Sequence, residues 1–561
     1  MCGIWAYISA LQKNQEVQNY QRFVTVSSRG PERSHFSEIH DPLLMKFGFH
    51  RLSIMDPTEN GDQPFCLVAG AHTIYTMCNG EIYNHSDLKE KYNLDVGHSK
   101  SDCEVIPQLY LKFGFESMLQ RLIGEFAVVL VDIDHDNDSV SVFASRDQFG
   151  VRPLFYGTAS GEHVYVFSSL LKGLIGLTEN TQQFPPGQML HVQYESVQNG
   201  LPRKSFQISS TIKPYFDYSF DKFRECNLEE GKELVRNGLD EAVRSRLQAD
   251  RPIGCLLSGG LDSSLVAALA ARALREKGQK LRTFSIGMPG ATDTKFAKIV
   301  SDHIGSDHTH VEFSAEEGLQ ALADVIYAIE SYDITTVRAS TGQYLLSKWI
   351  ANNTDVKVLL IGDGSDELTC GYMYFHKAPD SSQAHAEARK LLTEIHYYDV
   401  LRADRGIAGH GLESRVPFLD HRFVCLYMSL KADWRVPNEG LEKWLLRHSF
   451  DGTNLLPASV LYRPKEAFSD GVSGHGKSWY QIIQEWTEGQ ITSEDWTKMQ
   501  ELKHLTPPTK EAAYYRKQFI SHFGDNNSHL IPHFWLPAWC GNTLEPSART
   551  LEVYHSAEND K

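Results

Sequence analysis

Short apolar runs separated by turn signals fill the first two hundred residues. Runs at 3–8, 52–54, 73–77, 126–132, 140–145, 164–167 and 189–192 predict strands, with Asn60-Gly61, Asn79-Gly80 and Asp136-Asn137-Asp138 as turns. That spacing predicts antiparallel sheets stacked as a sandwich with helices outside. A polar stretch at 199–213 reads as a boundary, and beyond it helical periodicity alternates with short apolar strands. An amphipathic helix is predicted over 228–247. Ser314 and Glu317 have capping-box spacing ahead of Leu319, Leu322, Val325, Ile326 and Ile329. Parallel-type strands are predicted at 254–257, 281–286 and 356–361, each followed by Gly or Ser. Such βαβ units collect ligands at the carboxyl ends of their strands. The pattern contains no internal repeat, gives domains at 2–205 and 214–545, and leaves the last fifteen or so residues frayed.

Composition narrows the function classes. Hydrophobic residues at 41% and charged residues at 22% of 561 are ordinary globular values, which excludes a disordered or collagen-like chain. With 55 Lys+Arg against 71 Asp+Glu the net charge is -16, which argues against non-specific binding to nucleic acid or anionic membranes as the main role and leaves room for a local basic cleft. No stretch approaches the ~20 apolar residues of a membrane span. The first residues lack a basic flank and soon reach Lys13-Asn14-Gln15-Glu16, so a cytosolic protein is expected. Nine scattered cysteines without a C-x-x-C pair predict reduced thiols.

The candidate chemistry begins at Cys2. Removal of Met1 would leave a thiol beside a free α-amine, which titrates near pH ~8 and can act as base for its own residue's nucleophile. A small buried cysteine is the alternative for that position alone. The surrounding segments decide between them. Cys2-Gly3-Ile4, Arg29-Gly30-Pro31, Phe49-His50-Arg51-Leu52-Ser53, Asn79-Gly80-Glu81-Ile82-Tyr83-Asn84 and the run from Asp147 to Leu154 resemble the glutamine amidotransferase domain with an N-terminal cysteine nucleophile. The resemblance implies an α/β/β/α sandwich in which Cys2 attacks the glutamine amide and Asn79 and Gly80 supply oxyanion donors. It further implies that Arg51, Leu52, Ser53, Ile54, Met55, Glu81 and Asp102 bind glutamine, Arg51 and Asp102 taking its carboxylate and ammonium. A tetrahedral intermediate does need fixed donors, and a free amino acid needs one cation and one anion.

In the second half, Ser258-Gly259-Gly260-Leu261-Asp262-Ser263 lies between an apolar strand and an Ala-rich helix. Glycines allow close backbone approach to a phosphate, and the helix N-terminus favours its charge. This loop resembles the pyrophosphate loop of enzymes that split ATP between its α- and β-phosphates. Residues 471–478 also match G-x-x-x-x-G-K-[ST], but polar residues precede them where a buried strand is required, so they read as a surface loop. A second acidic loop, Gly362-Asp363-Gly364-Ser365-Asp366-Glu367, ends the third strand; Asp262 and Asp366 suit Mg²⁺, although a solvated acidic turn is the alternative for the loop alone.

With the runs 332–340, 399–405, 411–421 and 463–471, the chain resembles the glutamine-hydrolysing asparagine synthetases from Cys2 to about Arg549. That resemblance implies a second, parallel-sheet domain rich in helices. It would convert aspartate, glutamine and ATP to asparagine, glutamate, AMP and pyrophosphate through β-aspartyl-AMP. Leu256 and Ile286 would hold adenine through backbone groups. Ser258, Gly259, Gly260, Asp262, Ser263, Ile361, Gly362 and Lys465 complete the expected ATP site, and ammonia should follow a shielded path. A homodimer is the expected assembly. The chain departs from the family at four places: Ser28 and Glu32 flank Arg29-Gly30-Pro31 in place of His and Asp, Leu170 replaces Glu, Ile361 replaces Ser, and Asp363 replaces Glu. A degenerate paralogue that binds glutamine or nucleotide as a regulator, or an amidotransferase for another carboxylate, are the competing expectations.

Overall fold

The computed structural model describes residues 1–11, 16–97, 99–161, 163–197, 205–466, 471–474, 477–541 and 543–547. The chain divides into two units. Met1–Asp217 with Ala249–Arg251 and Ala408–Leu412 forms the first; Tyr218–Gln248, Pro252–Ile407 and Glu413–Lys561 form the second. The predicted frayed end falls largely at 548–561, outside the described residues.

Two six-stranded antiparallel sheets make the first unit. One runs from edge to edge as Asn180–Gln183, Phe155–Ala159, Val164–Ser168, Gly3–Ser9, Leu44–Arg51 and Arg33–Ile39. The other runs Ser205–Pro214, Gln188–Val197, Ser139–Arg146, Gly124–Asp134, His72–Ile82 and Phe65–Ala69. Alternation turns Ile4, Ala6 and Ile8 of one sheet and Met77, Val129 and Val142 of the other into a common core. The second sheet's opposite face buries Ile74, Cys78 and Val128 under the helices Val105–Phe113 and Phe115–Leu119. Helix Glu16–Val24 covers the first sheet's outer face through Phe23, stacked on His50 with ring centroids 4.0 Å apart. The result is the expected α/β/β/α sandwich.

Two expectations need correction. Residues 52–54 are not a strand. The strand is Leu44–Arg51, buried throughout, and past it the Ser53 amide donates to the Glu32 side chain at 2.8 Å instead of to a neighbouring strand. The polar stretch 199–213 is not a plain linker. Ser205–Pro214 pairs along its length with Gln188–Val197 as an edge strand, so the first unit runs on to Asp217 (198–204 lie outside the described residues).

The second unit is built on a five-stranded parallel sheet ordered Asp307–Glu312, Arg282–Gly287, Ile253–Leu256, Val358–Leu360 and Glu413–Arg415. Helices Leu261–Glu276, Thr292–Ile304 and Ile334–Asn353 are among those in this unit. The predicted helix near 228 spans Leu228–Ser245, and Ser314 caps Ala315–Ile329 with the full capping box. In the decoy phosphate motif, 475–476 lie outside the described residues. Ser478 caps the helix Trp479–Glu488, and Lys477 pairs with Glu485. No strand precedes Gly471 among the described residues.

Candidate active site

Each unit holds a chemically distinctive cluster. In the first, pairing of Gly3 opposite His50 fixes the start of the central strand and brings the half-buried Cys2 to the end of Leu44–Arg51. The Cys2 thiol donates to the Leu52 carbonyl at 3.8 Å, and Arg29 Nε donates to the Cys2 carbonyl at 3.0 Å. Met1 is buried, its sulfur 2.5 Å from Arg152 Nη1, and Arg152 pairs in turn with Glu125 at 3.0 Å. Asp147 organises the following loop, accepting from the amides of Phe126, Phe149, Val151 and Arg152.

Asn79 and Gly80 sit on His72–Ile82, two residues beyond the core residue Met77, against whose cluster Cys2 also packs. Asn79 is fully buried, yet neither end of its side-chain amide has a hydrogen-bond partner among the described residues. Gly80 takes φ 147°, and a Cβ there would lie 2.0 Å from the Glu125 carbonyl oxygen, so no other residue fits. Asp102 is buried and accepts from the Ile82 amide at 2.5 Å. The neighbouring Cys103 thiol donates to the Gly80 carbonyl at 3.5 Å, joining Asp102 to the Asn79-Gly80 strand. Arg51 folds its guanidinium into the loop that follows, donating to the Met55 carbonyl at 3.3 Å and to those of Asp56 and Thr58, and pairing with Asp62 at 2.8 Å. The structure thus places Leu52 against Cys2 and puts Asn79, Gly80 and Glu81 on His72–Ile82, with Asp102 on the short turn Asp102–Glu104, tied to that strand through the Ile82 amide. Leu170, where a Glu was expected, is buried.

A cavity opens at the carboxyl ends of Ile253–Leu256, Arg282–Gly287 and Val358–Leu360 in the second unit. Its apolar end is walled by Leu256, Phe284, Ile286, Leu346 and Ile361. At its polar end, Ser258 Oγ bonds Ser263 Oγ at 3.0 Å and receives the Gly260 amide at 3.2 Å, which shapes the loop. Gly260 precedes helix Leu261–Glu276, and no side chain among the described residues caps the helix start, which opens on the loop. Gly259 takes φ 81°, and a Cβ there would come within 2.3 Å of the Ala297 amide; it serves backbone packing and does not line the cavity.

Two carboxylates and two lysines meet across this opening. Lys443 Nζ lies 2.5 Å from Asp262 and 2.6 Å from Asp366; Lys465 Nζ lies 2.5 Å from Asp366 and 3.7 Å from Asp262. Burial alone would raise the Asp366 carboxyl, but the two ammonium groups outweigh it and hold it below the ordinary carboxylate range. Asp363 pairs with Arg402 at 2.7 Å, and Arg402 pairs with Asp399 at 2.8 Å. Burial keeps Asp363 raised in spite of that cation. On the other side, Asp293 is pushed up to about 6, chiefly by burial and against the pull of Arg463 at 2.7 Å.

Every nucleotide-site residue expected from sequence apart from Gly259 lines this cavity. Lys443, Arg402 and Asp293 also line it and had no role in the sequence reading. Arg402 lay within a quoted motif. Lys443 gave no local signal beyond a Glu-Lys pair before an apolar run, since its partners Asp262 and Asp366 are far from it in sequence.

The family model "Glutamine amidotransferase domain" matches residues 1–213, and "Asparagine synthase" matches 234–391 and 379–541. A four-layer sandwich headed by Cys2, joined to a parallel-sheet unit with a phosphate loop, therefore defines an ATP-dependent, glutamine-using amidotransferase ligase. Proteins called "Asparagine synthetase [glutamine-hydrolyzing]" are similar over the whole length. The one from Gallus gallus is 43% identical over 572 residues, and those from Cricetulus griseus and Homo sapiens are 42% identical over 570; each alignment covers 99% of this chain and 100% of the relative. The chain belongs to the family of glutamine-hydrolysing asparagine synthetases. Among solved structures, NMN synthetase from Francisella tularensis aligns with 56% of this chain and 100% of its own at 11% identity, with a TM-score of 0.24 that bears no weight here.

Proposed function

We propose that this chain makes asparagine from aspartate, drawing nitrogen from glutamine in the first unit and splitting ATP to AMP and pyrophosphate in the second. The observation that carries this reading is the second unit's cavity, in which an apolar slot, a phosphate loop and a carboxylate–lysine cluster share one space.

Once Met1 is removed, the freed α-amine takes the Cys2 thiol proton, and the thiolate attacks the glutamine amide. Asn79 offers a fully buried amide with no other partner, as an oxyanion donor should, and Gly80 offers the adjacent backbone. Arg51 through Met55, Glu81 and Asp102 frame the amino-acid end. Ammonia leaves, and water clears the glutamyl thioester.

In the second unit the aspartate β-carboxylate attacks the α-phosphorus of ATP. The departing pyrophosphate lies against the 258–263 loop, the open end of helix Leu261–Glu276 and Lys465. Backbone groups of Leu256 and Ile286 hold the base, with Ile361 and Gly362 beside it. Ammonia then attacks β-aspartyl-AMP and expels AMP, and Asp363 accepts the proton, held in place by Arg402. Because one ammonium nitrogen reaches both Asp262 and Asp366, these carboxylates converge on a single cation position, which fits Mg²⁺. When bound there, Mg²⁺ neutralises phosphate charge. A cytosolic homodimer completes the proposal.

Incubation with glutamine, aspartate and Mg-ATP, followed by quantification of asparagine, glutamate, AMP and pyrophosphate, tests the reading. Equal yields of asparagine and AMP are expected. Glutamate and pyrophosphate released without asparagine would overturn it in favour of another acceptor.

A further inference from the structure

Gln343 stands out at the apolar end of the nucleotide cavity. It lies on helix Ile334–Asn353, one turn before Leu346, and both side chains line the cavity alongside Phe284 and Ile286. Gln343 is 4% exposed, and its side-chain oxygen has no hydrogen-bond partner among the described residues. A buried amide oxygen without a donor keeps its full desolvation penalty, so the residue is poorly suited to an empty slot. Ser285, another polar residue at this end, has its hydroxyl engaged by His310 at 2.8 Å and His308 at 3.1 Å. Gln343 therefore sits in the wall of the slot with its acceptor enclosed and uncommitted among the described residues, one amide rotation away from a flat group that enters there.

We propose that Gln343 is a specificity-determining residue for the nucleotide, its side-chain oxygen accepting a hydrogen bond from the 6-amino group of the adenine ring. The proposal rests on the reading of this cavity as an ATP site. The chemistry discriminates strongly. Adenine carries a donor at position 6 beside the N7 acceptor, the pair that a glutamine amide complements edge to edge. Guanine carries an acceptor at position 6 and would set oxygen against oxygen. A purine with hydrogen at position 6 would leave the Gln343 oxygen unpaired after the slot closes over it, and a site built around a polar contact rejects an analogue that lacks the contact.

Calorimetric titration of the full chain, in Mg²⁺, with ATP and with purine riboside triphosphate tests this without requiring turnover. The parent protein should bind ATP about 10- to 100-fold more tightly than the 6-unsubstituted analogue. Gln343→Leu should bring the two affinities to within about 3-fold, chiefly by weakening ATP. In ammonia-supported synthesis Gln343→Leu should raise the KM for ATP while leaving kcat and the KM for aspartate near those of the parent. A retained preference in Gln343→Leu, or a parent that does not distinguish the two nucleotides, overturns the proposal. The parent ratio decides even where the variant does not fold, and Gln343→Met gives a second apolar replacement. Tight, base-selective binding with no asparagine formed would instead sink the synthetase reading and leave Gln343 as the base reader.

Discussion

Replacing Asn79 by alanine separates an oxyanion donor from an ordinary buried asparagine. A buried asparagine usually makes several hydrogen bonds, and its removal strands their partners at about 1–3 kcal/mol each. Asn79 strands nothing, because its amide has no partner and its own burial is already a liability. Truncation removes that liability and leaves a small cavity, and the two terms oppose each other. Stability should change by no more than about 1 kcal/mol, roughly 2–4 °C in Tm for a unit of this size. Glutamine hydrolysis, by contrast, should fall about 10²–10³-fold, the usual cost of losing one preorganised oxyanion donor. Glutamate release at saturating glutamine, asparagine formation from ammonium and a thermal melt, all on one preparation, measure the three quantities. Ammonia-supported synthesis should be unchanged. A drop in glutaminase rate of less than about 10-fold would remove Asn79 from the oxyanion site. A parallel fall in both activities with a large loss in Tm would mark it as structural.

Three further outcomes are expected. Cys2→Ala should abolish glutamine-dependent synthesis and spare ammonia-dependent synthesis, and blocking removal of Met1 should mimic it; equal loss of both activities in a folded variant would refute the two-centre scheme. Asp363→Glu should slow asparagine formation by about 10-fold while ATP affinity holds, because an added methylene displaces the 2.7 Å pair with Arg402; a faster variant would show instead that the shorter carboxylate is a handicap. Asp293, raised from 3.8 to about 6, favours the fold fully below pH 3.8, and that contribution is lost as pH rises through about 6. Asp293→Asn should therefore gain on the parent between pH 5 and pH 7.5, by at most about 1.4 kcal/mol, read as a widening difference in Tm; a constant difference would rule out this titration.

Local signals in the sequence led to correct elements, and signals that needed a distant partner did not. The capping box at Ser314 and Glu317 and the loop at 258–263 are complete within a few residues, so both were legible. The strand Leu44–Arg51 escaped notice because Lys46 interrupts its apolar run. Lys46 is nonetheless fully buried, 2.8 Å from Glu38 at the paired position of the adjacent strand. Ser205–Pro214 looks like a linker because its alternation is short: only Phe206 and Ile208 pack, half-buried, against the sandwich core, and the rest of the edge strand is largely exposed and held by main-chain pairing. Asp262 and Asp366 could be named from their loops, but not the lysine between them, which comes from a segment about 180 residues further on than Asp262. Gln343 lay inside a helix with no composition cue, and only its unpartnered oxygen singles it out.

The uncapped start of helix Leu261–Glu276 links binding to folding. A helix whose first N–H groups have no side-chain partner is completed by whatever anion occupies the loop. The nucleotide then becomes part of the second unit's thermodynamic stability as well as its substrate. At free nucleotide a hundredfold above Kd, mass action adds about 2.7 kcal/mol to the folded state. Depletion of ATP would withdraw that stabilisation from this unit. The lifetime of the synthetase half would then track the energy supply that its reaction consumes.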